Sequence, residues 1–139
     1  MIHRISFAFL ILLLSAVAAF PFTASKSQRL LYLPLDERFT TRDLFINFSG
    51  LTNFSLVTPE RSMLPEKKRP ANLGALIDWT KANAATAGAA VISADMLLHG
   101  GLIGSRISSD SLSDVRKRLT AFAEMQKKNP RLPIFVSST

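Results

Sequence analysis

Two aspartates stand where carboxylates do chemistry in α/β proteins. Asp36 follows the apolar run Leu30-Leu31-Tyr32-Leu33-Pro34-Leu35, and Asp95 follows Ala89-Ala90-Val91-Ile92. Runs of this length and composition suit buried strands, and in a parallel sheet the residues just past the strands share one rim. A pair of rim carboxylates can serve as general acid and base, or as acid and nucleophile, in glycoside hydrolysis, where their separation sets the stereochemical outcome. They are equally able to hold a hard cation such as magnesium or calcium. The structural alternative, weighted evenly for a single aspartate, is that each caps the following helix or pairs with Arg38 or Arg106.

Around these catalytic candidates lie Arg38, His99, Gly100, Gly101 and Arg106, taken as substrate-binding residues. A guanidinium offers a rigid fork of donors to a carboxylate, phosphate or sulfate. His99 is a candidate proton shuttle or, as a lone histidine, a weak candidate metal ligand, and the glycine pair lets backbone approach a ligand or take positive φ. Neither a GxGxxG fingerprint nor a GxxxxGK[ST] loop occurs, which argues against nucleotide binding, and no serine sits in a GxSxG elbow. The chain has no cysteine, which excludes disulfides and thiolate metal sites. No metal ligand set is assigned, and nothing in the sequence names a cofactor.

The elements that must position these residues are legible from periodicity. Strands are expected at Leu30 to Leu35, Phe54 to Val57, Ala89 to Ile92 and Pro133 to Val136. Between them, Leu44, Phe45, Phe48 and Leu51 make a first helical stripe after Thr40 and Thr41, ending near Gly50. Leu73, Leu76, Ile77 and Thr80 make a second after Pro70. Leu112, Val115, Leu119, Phe122 and Met125 make a third, opened by Ser111 with Asp114 and closed at Asn129-Pro130. Strands alternating with helices imply right-handed crossovers and a parallel sheet, α/β in class, the first part of a barrel-like or doubly wound domain.

Residues 1–19 read as a signal peptide: Arg4 precedes an uncharged stretch from Ile5 to Phe22, with Ala16-Val17-Ala18 as a small-x-small cleavage pattern. Residues 20–29 are a linker, and residues 30–139 are the amino-terminal portion of an α/β domain that stops straight after a strand, as a truncated chain would. The expected location is secreted or extracytoplasmic, with no stable membrane span after cleavage. Losing Arg4 takes the formal charge from +7 to +6. Lys67-Lys68-Arg69, Arg116-Lys117-Arg118 and Lys127-Lys128-Asn129-Pro130-Arg131 carry much of it without interleaved aromatics, so they read as solvated faces and not as a nucleic-acid footprint. Asn47-Phe48-Ser49 and Asn53-Phe54-Ser55 are sequons, open to glycosylation only in a eukaryotic source.

Three ordered motifs carry a resemblance: Tyr32-Leu33-Pro34-Leu35-Asp36-Glu37-Arg38, then Ser93-Ala94-Asp95-Met96-Leu97 with Gly100-Gly101-Leu102 and Ser105-Arg106, then Asn129-Pro130-Arg131-Leu132-Pro133-Ile134. From Leu30 onward the chain resembles the amino-terminal region of the uncharacterised, mostly bacterial family DUF 4127. That family usually continues the first motif with proline and asparagine, where this chain has Phe39 and Thr40-Thr41, and has tyrosine at the place of His99. Its members are considerably longer. The resemblance implies architecture and candidate positions without a reaction.

The expected function is that of an exported hydrolase acting on a glycan or other polar polymer through its strand-end carboxylates. The alternatives are a non-catalytic binding module for a sugar or anionic small molecule, and an inactive fragment of a longer enzyme.

Overall fold

The computed structural model describes residues 28–67 and 69–139, so the expected signal peptide and nearly all of the linker lie outside the described residues. Four strands form one all-parallel sheet: β1 (Gln28–Leu33), β2 (Phe54–Val57), β3 (Ala89–Ser93) and β4 (Ile134–Ser137). Their order is β2-β1-β3-β4. A (β/α) barrel would set the strands side by side in chain order. Placing β1 between β2 and β3 is instead the mark of an open doubly wound sheet, whose direction of winding reverses between β1 and β3.

The first strand runs two residues earlier than its apolar run suggests, because Pro34 has no amide to donate to the ladder and the chain leaves the sheet there. Alternation then sorts the side chains. Leu31, Leu33, Ala90 and Ile92 enter the core, while Tyr32 points to the opposite face and stacks on Phe45 with ring centroids 4.0 Å apart. That opposite face is covered by a π-type turn at Phe39–Asp43 leading into α1 (Leu44–Ser49).

The core face is covered by α2 (Leu73–Ala84) and α5 (Leu112–Lys128), joined by α3 (Ala94–His99) and α4 (Leu102–Ile107). Asn72 caps α2 by accepting the Ala75 amide. Ser111 and Asp114 form a reciprocal capping box on α5, as their spacing suggests. Asn129, just past α5, donates to the carbonyls of Ala84 and Ala87 at 3.2 and 3.0 Å and so satisfies buried carbonyls at the carboxyl end of α2. Leu76, Met96, Leu97 and Met125 are fully buried between the helices and the sheet. No helix among the described residues is long and apolar enough to cross a membrane.

The two short helices were not expected from periodicity. They form a tight corner about Gly100-Gly101. Gly100 closes α3 in the left-handed conformation, φ 75°, and its amide donates the cap bonds to the carbonyls of Asp95 and Met96. Gly104, one turn into α4, lies so close to α3 that a Cβ there would meet the His99 carbonyl oxygen at 2.2 Å. The glycines of this motif therefore fold α4 back against the end of α3.

Candidate functional site

The crevice at the reversal between β1 and β3 is where open α/β sheets bind ligands. Leu33 and Ile92 are partners in the ladder, and Asp36 and Asp95 each lie three residues beyond them, so the two aspartates hold equivalent positions just past neighbouring strands. Both are buried, at 5% and 6% exposure.

Their surroundings differ. Asp36 Oδ2 accepts from Arg38 Nε at 2.8 Å and lies 2.6 Å from Arg38 Nη2. Asp36 Oδ1 accepts from the Arg38 amide at 3.1 Å and from the Thr41 hydroxyl. Burial works against the ionised form of Asp36, but the bonds from Arg38 and Thr41, with the charge of Arg38, together outweigh it and hold the carboxyl below the ordinary carboxylate range. Tyr32 donates to the Thr41 carbonyl, closing the loop onto β1, and its phenol is pushed up by burial and then by the charge of Asp36. The pairing alternative weighed for Asp36 is thus realised in the loop itself.

Asp95 sits in the first turn of α3, behind Ser93, whose side chain accepts the Met96 amide at 3.3 Å. Its Oδ2 accepts the Thr139 amide at 3.1 Å, tying α3 to the residues after β4. Among the described residues it forms no ion pair with a lysine or arginine.

Asp36, Glu37 and Arg38 line a narrow cleft of about 90 Å³ with Pro65, Lys67 and Leu102. The guanidinium of Arg38 meets Asp36 along one edge, and its side chain is 57% exposed, so the remaining N–H groups face the cleft and solvent. Gly101 packs under this cleft, where an added Cβ would lie 2.8 Å from Pro65 and 3.4 Å from the Leu35 carbonyl oxygen. The structure therefore brings together Asp36, Arg38 and Gly101. Asp95 does not line the cleft, Arg106 lies exposed on α4, and His99 lines a separate pocket beside Asp110. Gly100 is occupied with the α3 cap.

Sequence reasoning missed Thr41, which completes the cage around Asp36, and Asp110 and Arg118 beside His99. Thr41 had a signal, since a hydroxyl five residues past a strand-end aspartate is placed to close a capping loop. Among the described residues no cluster of three side chains fit to hold a metal ion occurs.

No curated protein and no solved structure matches the chain. The family described as "Protein of unknown function (DUF4127)" matches residues 30–139, which run from within β1 to just past β4 and carry both aspartates. The chain therefore belongs to the DUF4127 family.

Proposed function

We propose that the crevice between β1 and β3 binds a small anionic or sugar-like ligand, with Arg38 as the group that grips its acid. The observation that carries this reading is the one-edged pairing of Arg38 with Asp36: the buried carboxylate fixes the guanidinium at 2.6 Å and leaves its other donors pointing outward. A fork held in place beforehand loses little freedom when a ligand arrives. Lys67 on the same cleft adds a second positive charge, set against the carboxylates of Asp36 and Glu37. The apolar amino-terminal segment supports an extracytoplasmic setting for this binding.

The test is calorimetric titration with galacturonate and with neutral galactose. Galacturonate binds and galactose does not, and Arg38→Ala weakens galacturonate binding by at least about tenfold. Equal binding by wild type and Arg38→Ala overturns the assignment.

A hydrolase acting on a glycan or other polar polymer is the second reading, and Asp95 favours it. That carboxylate is buried at the sheet rim, accepts one backbone N–H hydrogen bond at Oδ2 and has no cationic partner among the described residues, which leaves it freer than Asp36 for general acid or base work. On this reading Asp95→Asn abolishes turnover while galacturonate binding persists.

A further inference from the structure

Away from the sheet rim, the α3–α4 corner, the loop between α4 and α5 and the start of α2 border an open pocket of about 280 Å³ lined by Pro70, Leu73, His99, Ile107, Ser109 and Asp110. His99 turns Nδ1 toward Asp110, 3.5 Å from Oδ2, and that nitrogen is buried with no hydrogen-bond partner. Asp110 is itself clamped by Arg118, whose Nη1 and Nη2 reach its two oxygens at 2.6 and 2.9 Å. Arg118, then a hydrogen bond to Ser108, hold the Asp110 carboxyl far below the ordinary range, so it is a fixed negative charge at neutral pH. Arg118 also donates to the Leu98 carbonyl, which locks the carboxylate to the helix that carries His99. With Nδ1 facing Asp110, Nε2 is the other ring nitrogen of a residue that lines the pocket.

We propose that His99 and Asp110 form a second site, an acid–base pair that hydrolyses small acyl esters. A fixed negative charge 3.5 Å from Nδ1 favours the proton on that nitrogen and leaves Nε2 as the base. Pro70, Leu73 and Ile107 give the pocket an apolar wall suited to a short acyl group. In the step, Nε2 takes a proton from water as the water oxygen bonds to the ester carbonyl carbon. The tetrahedral intermediate then collapses, the C–O bond to the alcohol breaks, and the leaving oxygen takes the proton back from the imidazolium or departs as the anion while solvent takes it. Asp110 is the positioning residue, acting through the tautomer of His99.

The experiment uses 4-nitrophenyl acetate and follows release of nitrophenolate by the whole chain. His3 is the other histidine of the sequence and is kept in every variant, so differences report on His99 alone. His99→Gln lowers the rate by about a hundredfold or more, the low end of what general-base catalysis supplies. Asp110→Asn lowers it as well, and ¹⁵N spectra of His99 change from the Nδ1–H tautomer of the wild type to Nε2–H. A rate unchanged by His99→Gln, or an Nε2–H tautomer in the wild type, overturns the proposal. Should His99→Gln not fold by circular dichroism, carbethoxylation of wild-type His99, located by mass spectrometry, decides. Loss of the activity on modification supports the site, and full activity of the modified protein refutes it.

Discussion

Asp36 and Asp95 are the same residue type, three residues past paired strand positions, both buried, and yet they do different work. Asp36 is enclosed by its own loop: Arg38, two residues on, and Thr41, five residues on, occupy both carboxylate oxygens. Asp95 is turned into the first turn of a helix and takes one amide from the far side of β4. Position at a strand end makes a carboxylate a candidate, and the donors that follow within a few residues decide whether it remains available. The β1 side of the crevice is consequently held by charge and hydrogen bonds. The β3 side is held by backbone packing at the glycine corner.

The largest way to break that contrast is Gly104→Ala. A Cβ there meets backbone at 2.2 Å, so α3 and α4 must separate, and urea denaturation should show a loss of about 3 kcal/mol or more. The Asp36 loop would be left intact, which the Tyr32 and Phe45 ring resonances would show by keeping their contacts.

Next in size is Asp36→Asn, which leaves Arg38 facing an amide in place of a carboxylate and should cost about 2 kcal/mol at neutral pH. This effect carries a pH signature. The carboxyl titrates lower in the folded chain than in the unfolded one, so its contribution is complete above the unfolded value and is lost as the pH falls through the folded one. The difference between wild type and Asp36→Asn should therefore narrow on acidification below about pH 4. A constant gap down to acid unfolding would mean that the Asp36 charge contributes nothing.

Ser93→Ala removes the cap that starts α3 and should destabilise by about 1 kcal/mol. Asp95→Asn should be the mildest of the four, below about 1 kcal/mol, since an amide oxygen still accepts from Thr139. If Asp95→Asn proves more damaging than Asp36→Asn, the contrast between the two sides is reversed.

Much of the scaffold could be read from the chain because its signals are local. The four apolar runs became four parallel strands, and the Ser111–Asp114 box opened α5 where the spacing placed it. The strand order could not be read, because β-rich apolar runs say that strands are buried and not which neighbours they choose. The helices α3 and α4 escaped notice because six residues do not complete two turns, so no stripe forms. The same gap hid the meeting of His99 with Asp110, which depends on the Gly100-Gly101 corner turning the chain back. The equivalence of Asp36 and Asp95 was visible from their strands, whereas their different availability was not, since it rests on side-chain contacts that spacing leaves open.

The difference between the two aspartates is most directly tested by a ¹³C carboxyl NMR titration of Asp36 in wild type and in Arg38→Ala. The account predicts that Asp36 titrates below the ordinary carboxylate range in the wild type and rises when Arg38 is removed. A wild-type Asp36 that titrates in the ordinary range and is unmoved by Arg38→Ala would contradict it, and would return Asp36 to the standing of a free carboxylate beside Asp95.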